Sequence, residues 1–400
     1  MVLYLYWVFT IALALLFLAG VAERRHHDRN LRRIPVRILV NGIRGKSSIT
    51  RLTAGALRGG ELRVVAKTTG TAARFIHPDA TEDPVHRKFG IANVVEQIGI
   101  VRQAAAAEPD VLVMECMAVQ PALQEINQQV LVRSTIGVLC NVREDHLEEM
   151  GPTLDDVARS LARSMPYRGV CVTAEQERRA VLEREAARRD CRLVVVDPET
   201  VTDEEMTGFA YVTFKENVAI SLAVARELGV GRRDALRGMY AAPPDPGVLT
   251  VREIPVEHGT VRLANIFAAN DPESTVMNFR QLVATGTLKP PYITLINCRP
   301  DRIERNAQMG RIVPDLETDT LVLIGHPTRS AREAVPSDWP GRVLDLGGSQ
   351  RNPAEIWHTI TTHVTGAASL VAVGNIHGQG ERLLEHLESV PVVPTQRKVL

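Results

Sequence analysis

The chain has 400 residues, too many for one ordinary globular core, and this length predicts two or three domains. Hydrophobic residues make up 45% and charged residues 24%, which excludes a disordered or fibrous protein. The formal net charge is +0, from 47 basic and 47 acidic side chains, so the charge balance gives no indication of a nucleic-acid partner. Five cysteines without paired metal-ligand spacing indicate buried thiols in a reducing compartment.

The first segment, residues 1–22, is apolar and carries no charged side chain. As a helix rising ~1.5 Å per residue, it would cross the ~30 Å hydrocarbon core of a bilayer. Residues 23–35 follow as a basic juxtamembrane linker, and such a cluster stays on the cytoplasmic side. We therefore predict a single-pass anchor in the cell membrane, with the domains that follow it in the cytoplasm. A cleaved signal peptide and a buried core helix are the alternatives, although a signal peptide carries its positive charges before the apolar run.

Strand-like and helix-like segments alternate from residue 34 onward, and this order predicts an α/β fold with parallel sheets. The proline-rich stretch 241–247 cannot sustain a helix or a central strand. It separates a central domain, 36–242, from a smaller Rossmann-like C-terminal domain, 243–400. Strands are predicted at 36–40, 62–66, 111–114, 136–141, 170–173 and 192–196, and in the second domain at 248–256, 260–264, 292–297, 320–324, 342–346 and 369–374.

The sharpest chemical signal follows the first predicted strand. The run VRILVN leads into GIRGKSS and then into a helix, which is the arrangement that cradles phosphates. Lys46 can reach terminal phosphates and Ser47 can ligate Mg²⁺, so ATP and Mg²⁺ are the expected cofactors. The full GxxxxGK[ST] motif is absent because Val40 takes the place of its first glycine, and a chance GK turn is the alternative. The candidate nucleotide contacts in this turn are Gly42, Arg44, Gly45, Lys46, Ser47 and Ser48.

Two later strands end in groups that can bind a metal, at the edge where open α/β sheets bind ligands. Glu115 ends the run VLVME, and Asp145-His146 follow the run IGVLCN. We predict that Ser47, Glu115 and His146 hold Mg²⁺, with Asp145 supporting His146 or contacting nucleotide. A helix cap or an ion pair is the alternative for Glu115, and a structural loop is the alternative for His146.

In their order along the chain, these motifs resemble those of the ATP-dependent Mur ligase superfamily. The resemblance covers about residues 36–380. It implies that Asn217 lies near adenine, and that Asp301 and Arg302 of the second domain contact the nucleotide or an acyl phosphate. Lys46, Glu115, His146 and Arg302 are then the catalytic candidates, although a solvent-facing ion pair is the alternative for Arg302. The similar segments are GxxGKS, the strand ending in Glu115, NVREDHLEEMG, FKENVAIS, residues 270–274, RPDRIER and GNIHG.

No UDP-sugar-binding domain precedes the phosphate turn, and a membrane helix stands there instead. Within the superfamily, this layout and the phrases NGIRGKSS, AKTTGT, INCRPDR and VGNIHGQGE resemble the ligase subunits of poly-γ-glutamate synthases. The resemblance implies an acid–amino-acid ligase of capsule biosynthesis that phosphorylates a glutamate carboxylate and joins it to the amine of another glutamate. Its implied partners are glutamate, the growing polyglutamate chain, the membrane and further membrane subunits for export, and a homo-oligomer is compatible with it.

One feature departs from the superfamily pattern. Mur ligases use a carbamoylated lysine, but no lysine lies between Lys88 and Lys215. Either the metal is held without a carbamate, or another group such as Lys215 substitutes.

Substrate recognition is expected after the second strand, where cations can grip carboxylates. The candidate residues are Lys67, Thr69, Arg74 and Arg87, and a solvated mixed-charge loop is the alternative.

Three rival functions are compatible with the phosphate turn. They are a folylpolyglutamate-type ligase, a membrane-anchored P-loop NTPase without ligase activity, and a scaffold that binds ATP only to assemble partners. The absence of an NKxD guanine-reading element from the sequence counts against a GTPase.

Overall fold

The computed structural model describes residues 2–69, 73–85, 93–209, 211, 213–245, 249–267, 269, 271–348, 350–362 and 364–389. The chain divides into two compact units, Met1–Asp245 and Pro246–Leu400. Each unit contains one sheet with helices packed on it, as the alternation of segments in the sequence predicts. The prediction of an α/β fold with parallel sheets is confirmed.

The first unit contains an eight-stranded sheet in the order β4-β3-β2-β5-β1-β6-β7-β8. All neighbours from β2 to β8 pair in parallel, whereas β3 and β4 form an antiparallel addition at one edge. The strands are β1 Val36–Asn41, β2 Val64–Lys67, β3 Arg74–Ile76, β4 Glu82–Pro84, β5 Val111–Glu115, β6 Ile136–Leu139, β7 Val170–Thr173 and β8 Arg192–Val195.

Helices cover both faces of this sheet. They are α1 Val2–Arg32, α2 Lys46–Gly59, α3 Glu96–Ala106, α4 Pro121–Ile126, α5 Leu147–Met150, α6 Leu154–Leu161, α7 Arg179–Ala187, α8 Asp203–Met206, α9 Lys215–Glu227 and α10 Arg232–Ala241. A π-helix, Asn127–Val132, follows α4 directly. Alternate side chains of β1 serve the two faces: Ile38 and Val40 pack with residues of α2 and α9, and Leu39 packs with residues of α3. The core on both faces therefore fixes the end of β1 rigidly.

The second unit contains a six-stranded sheet in the order β13-β12-β11-β14-β10-β9, in which only the β9–β10 pair is antiparallel. Its strands are β9 Thr250–Val256, β10 Gly259–Asn265, β11 Tyr292–Cys298, β12 Thr320–Gly325, β13 Arg342–Asp345 and β14 Gly366–Gly374. Its helices are α11 Pro272–Ala284, α12 Ile303–Arg311, α13 Arg329–Ala334, α14 Pro353–Thr361 and α15 Gln379–Glu388.

Helix α1 is longer than the predicted membrane span. It is one continuous helix to Arg32, so most of the predicted linker, 23–35, is helical. The segment has no proline before Pro35, and the residue before a proline disfavours helical geometry, which explains where the helix ends. Within the described residues, one helix, over Tyr6–Arg32, is long and apolar enough to cross a membrane, and its apolar window is not buried in the fold.

Candidate active site

The phosphate loop, residues 42–48, connects β1 to α2 at the carboxyl edge of the first sheet. Gly42 and Gly45 have φ angles of 137° and 80°, a region that side chains disfavour. A Cβ on Gly42 would also lie 2.8 Å from the Cβ of Cys140 on the neighbouring segment. Helix α2 begins at Lys46 without a side-chain cap on its first turn. Its first N–H groups and the positive end of its dipole are therefore available to an anion.

Lys46 and Arg44 hold the loop in shape. The Nζ atom of Lys46 lies 2.7 Å from the carbonyl oxygen of Gly42 and 3.0 Å from that of Ile43. The backbone N–H of Arg44 donates to Oδ1 of Asn141 at 3.0 Å, and Nδ2 of Asn141 lies 3.3 Å from the Arg44 carbonyl. The loop is thus fixed to the end of β6, and the Lys46 ammonium lies over its carbonyl groups.

Glu115 and Ser47 form the centre of the site. Glu115 ends β5 with 2% of its surface exposed, and its Oε2 atom accepts hydrogen bonds of 2.8 Å from Ser47 Oγ and from the backbone N–H of Thr69. The carboxyl end of β5 lies beside that of β1 because the two strands pair in parallel. Two oxygen ligands of the kind that Mg²⁺ prefers are therefore in contact beside the phosphate loop.

His146 belongs to a chain of polar contacts that reaches the phosphate loop through Arg44. Arg44 Nη2 is 3.2 Å from Asp145 Oδ2, and His146 Nε2 and Nδ1 lie 3.8 Å from Asp145 and Glu149 carboxylate oxygens. About half of the His146 side chain is exposed. Among the residues that the structure describes, no group of three or more His, Cys, Asp or Glu could hold a metal. A role for His146 as a Mg²⁺ ligand stays a prediction.

Asn217 lies against the phosphate loop. A Cβ built on Gly45 would lie 3.0 Å from its Oδ1 atom, so this side chain packs on the loop backbone. Its neighbour Glu216 accepts a hydrogen bond of 3.3 Å from Asn141, and burial raises the pKa of that carboxyl. The adenine contact of Asn217 stays a prediction. Ser48 is half-buried in the first turn of α2.

The predicted substrate residues follow β2 but have different environments. The Nζ atom of Lys67 lies 2.6 Å from Glu96 Oε1, with 0% of the lysine side chain exposed. A substrate contact of Lys67 stays a prediction. Thr69 reaches Glu115 through its backbone, as described above. Arg74 exchanges hydrogen bonds with Thr68 through its backbone atoms. Arg87 lies outside the described residues.

In the second unit, Asp301 and Arg302 lie in the turn between β11 and α12. Arg299 donates to both carboxylate oxygens of Asp301, at 2.9 and 2.8 Å. Arg302 is more than half exposed, and its Nε atom is 3.8 Å from Asp301. The bidentate pair therefore fixes Asp301 and leaves most of the Arg302 side chain in solvent. The nucleotide contacts of both residues stay predictions.

Lys215, the candidate substitute for a carbamoylated lysine, lies between two carboxylates. Its Nζ atom pairs with Asp203 at 2.8 Å and with Glu199 at 3.2 Å. These carboxylates, Asp203 first, raise the pKa of the lysine and so favour its ammonium form. Carbamoylation requires the neutral amine.

Sequence reasoning missed three residues that support the site. They are Asn141, which binds the loop backbone, Glu96, which pairs with Lys67, and Arg299, which holds Asp301. Asn141 ends an apolar run at a strand's carboxyl edge, as Glu115 does, and this signal could have identified it. The other two are recognisable only from contacts across the fold.

A cavity of about 390 Å³ lies beside the segment that follows Glu115. Its wall is mostly apolar, and its polar groups are two amides and one carboxylate. This chemistry does not suit a polycarboxylate, because the described wall contributes no cation. The lining residues are Asn93, Val94, Met117, Ala118, Val119, Gln120, Leu123 and Glu149.

The residues present fit a nucleotide triphosphate and Mg²⁺. The uncapped start of α2 and the Lys46 ammonium suit phosphate oxygens, and the Ser47–Glu115 pair suits a hard cation. Mg²⁺ commonly takes one or two protein ligands and completes its coordination with phosphate and water. The Ser47–Glu115 pair is sufficient on that basis.

Two family models match the chain: the Mur ligase middle domain over residues 40–227, and the poly-gamma-glutamate synthase CapB C-terminal domain over residues 251–390. PGA synthase CapB of Bacillus subtilis (strain 168) is 36% identical over 395 residues, which cover 96% of this chain and 98% of that protein. The chain belongs to the CapB family of poly-γ-glutamate synthases. Another relative of this family is the capsule biosynthesis protein CapB of Bacillus anthracis, 35% identical over 399 residues, covering 98% of this chain and 85% of that protein.

Solved structures share the fold of this CapB-family chain. E. coli FolC in complex with ADP superposes with a TM-score of 0.67 at 15% identity, covering 93% of this chain and 94% of that one. A bifunctional folylpolyglutamate synthase/dihydrofolate synthase from Yersinia pestis, complexed with AMPPNP and Mn ion, gives 0.67 at 15% identity, covering 91% and 92%. The predicted membership of the Mur ligase superfamily and the predicted enzyme class, an ATP-dependent amide ligase, are confirmed. The folylpolyglutamate alternative has only this distant likeness of fold.

Proposed function

We propose that this chain polymerises glutamate into poly-γ-glutamate at the cytoplasmic face of the membrane, through an acyl phosphate. Its near full-length similarity to PGA synthase CapB supports the product. The observation that carries the mechanism is the Ser47–Glu115 contact beside the uncapped start of α2, because this arrangement suits a metal-bound triphosphate.

The reaction needs two substitutions. A carboxylate oxygen of the terminal glutamate attacks the γ-phosphorus of ATP, and the bond to the β-phosphate oxygen breaks to release ADP. The amine nitrogen of the next glutamate then attacks the acyl carbon, and the carbon–oxygen bond breaks to release phosphate with its electron pair. The surplus amine proton passes to water. Each amide therefore consumes one ATP, and no covalent enzyme nucleophile is required.

The residues of the first unit position the nucleotide and neutralise its charge, and they form no covalent bond with the substrates. The N–H groups of α2 bind phosphate oxygens, and Lys46 exchanges the carbonyls of Gly42 and Ile43 for the terminal phosphates. Ser47 and Glu115 would hold Mg²⁺, which supplies charge neutralisation at the phosphates when bound. The N–H of Thr69 fixes the Glu115 carboxylate in place, so the ligand pair is preorganised.

Helix α1 supports the membrane location in the proposal. Its apolar part is exposed, and arginines follow it, which orients the remaining chain to the cytoplasm. Export of a polyanion needs further membrane subunits, because a single helix cannot form a pathway across the bilayer.

The test is incubation of the purified chain with ATP, Mg²⁺ and each glutamate enantiomer, with mass analysis of products and measurement of released phosphate. We expect glutamate-dependent phosphate release and polymers spaced by one glutamate residue. Lys46→Ala should lower synthesis by at least ~10²-fold, since one preorganised electrostatic contact is commonly worth that much. Lys289→Ala, a charge-matched variant at an exposed position, should not change it. Glutamate-independent hydrolysis without amide would favour the NTPase alternative, and neither amide formation nor ATP hydrolysis by the purified chain would favour the scaffold.

A further inference from the structure

The C-terminal end of helix α1 packs against the rest of the first unit, and we call it the docked end. His27, Asn30 and Leu31 are at most 5% exposed, and Leu31 and Ile34 belong to the apolar cluster that contains α3 residues. Their spacing places them on one helical face. Residues 22–26, one turn earlier, are exposed. The helix therefore leaves the folded unit just before the buried turn.

Polar contacts secure the docked end. His27 Nε2 lies 2.9 Å from the Leu131 carbonyl, and Asp28 pairs with Arg133 at 2.7 Å. Arg37, on β1, donates to the carbonyls of Leu31 and Ile34 at 3.3 and 2.6 Å, and so binds the last turn of the helix. Burial lowers the pKa of Arg37, and the nearby positive charge of Arg133 lowers it further. Because these contacts include buried groups, the helix and the sheet form one body.

The docked end lies at the amino edge of the first sheet. Arg33 pairs with Glu108 at 3.0 Å, and Glu108 comes shortly before β5. Arg133, the partner of Asp28, comes shortly before β6. The phosphate loop follows the other end of β1. A strand rises ~3.3 Å per residue, so these two edges are separated by roughly 17 Å along β1.

Three arginines form a stripe on the opposite side of the helix. Arg25, Arg29 and Arg32 follow the spacing i, i+4, i+7 and are all exposed. At 100° per residue, their mean direction is about 170° from that of His27. They begin three residues after the apolar run, and at ~1.5 Å per residue they lie roughly 5–15 Å beyond its end. This depth is that of lipid headgroups and the adjoining water.

We propose that this arginine stripe, Arg25, Arg29 and Arg32, binds anionic phospholipid headgroups, so that the amino edge of the first unit faces the bilayer and the phosphate loop faces away from it. Basic residues immediately after a membrane helix are attracted to anionic lipids. The inference rests on the membrane location in the proposed function. The bidentate fork of arginine also suits phosphate oxygens.

The orientation has a consequence for the chemistry. Glutamate, ATP and the polymer are all anions, and the surface potential of an anionic leaflet repels them. The potential falls off over a Debye length of ~8 Å at physiological salt. The phosphate loop, at the carboxyl edge of the sheet, lies about two Debye lengths beyond the amino edge. Anions that bind there experience little of this repulsion.

The first measurement is lipid selectivity of the full chain in mixed phosphatidylcholine and phosphatidylglycerol bilayers, read from spin-labelled lipids. One arginine near an anionic surface is worth about fivefold. We expect the wild type to prefer phosphatidylglycerol, and Arg25→Gln, Arg29→Gln and Arg32→Gln together to lower that preference at least fivefold. The control combines Arg237→Gln, Arg280→Gln and Arg329→Gln, which removes the same charge elsewhere and should not lower it. Equal preference in wild type and stripe variant would overturn the proposal.

The second measurement is the orientation of the unit. All five cysteines are buried, so single introduced cysteines can be labelled selectively. The two positions are exposed Gln103, on the half of α3 near the docked edge, and exposed Glu148, in α5, three residues after the Asp145 that pairs with Arg44 of the phosphate loop. We expect headgroup quenchers to quench the Gln103→Cys label more strongly. Equal or stronger quenching of the Glu148→Cys label would overturn the orientation. Carbonate extraction separates the hypotheses: release of the chain contradicts the membrane location itself, whereas retention without lipid preference contradicts only the arginine stripe.

Discussion

Replacing Glu115 with glutamine removes the charge of the Ser47–Glu115 pair and preserves its shape. The glutamine oxygen can still accept both 2.8 Å hydrogen bonds that reach Glu115. Bonds to a charged group are worth ~1.5–3 kcal/mol against ~1 kcal/mol for neutral ones, so the two bonds lose roughly 1–4 kcal/mol. The carboxylate is almost fully buried, and relief of its desolvation cost offsets part of that loss. We expect the free energy of unfolding to change by less than about 2 kcal/mol.

Activity should respond far more strongly than stability. The variant loses the only carboxylate that contacts Ser47 in the described site. We expect the Mg²⁺ concentration for half-maximal rate to rise more than about tenfold, and amide synthesis to fall ~10²–10³-fold, as for loss of one electrostatic stabiliser. The assay is glutamate-dependent phosphate release over a Mg²⁺ titration, beside urea unfolding.

The matched control is Glu185→Gln. Glu185, on α7, is also a buried carboxylate of the first unit; it is 8% exposed and pairs at 2.9 Å with Arg189, which follows the helix. It should lose stability and keep the wild-type Mg²⁺ dependence. The reasoning is refuted if Glu115→Gln keeps its Mg²⁺ requirement and its rate within threefold of wild type.

Three further substitutions test separate parts of the structure. Gly42→Ala places a side chain at φ 137°, and we expect nucleotide-analogue affinity to fall more than about tenfold by calorimetry; unchanged affinity would contradict the loop geometry. Arg51→Met removes a 2% exposed guanidinium that pairs with Glu82. Urea unfolding should show that the free energy of unfolding falls by ~2–4 kcal/mol and that the double variant Arg51→Met/Glu82→Gln recovers part of this loss. Additive losses in the two variants would contradict the pairing. Lys215→Met should keep synthesis within about threefold, since Asp203 holds this lysine as an ammonium; a 10²-fold loss would indicate a carbamate.

Local patterns predicted the elements that form the phosphate site. The helix predicted to follow the phosphate turn is α2, Lys46–Gly59, and the strand predicted at 111–114 is β5, Val111–Glu115. In both cases an apolar run with glycine or charge at its end carries the information within a few residues. The proximity of Glu115 to Ser47 follows from parallel pairing, which places strand ends at one edge.

Long-range pairs could not be predicted in this way. Lys67 pairs with Glu96, which is 29 residues away, and one sequence does not specify which charges meet. The short strands β3 and β4 contain too few residues to show a period. Arg37 and the π-helix contact the end of α1 from positions later in the chain, and local patterns in residues 23–32 do not specify these contacts.

The central claim is that ATP activates a glutamate carboxylate directly, and isotope transfer tests it most directly. Glutamate with ¹⁸O in its carboxyl groups is incubated with the chain, ATP and Mg²⁺, and the released phosphate is analysed by mass. The account predicts one ¹⁸O in each phosphate per amide formed, because the carboxylate oxygen leaves with the phosphoryl group. Amide formation with unlabelled phosphate, or with AMP as the product of ATP, would contradict it.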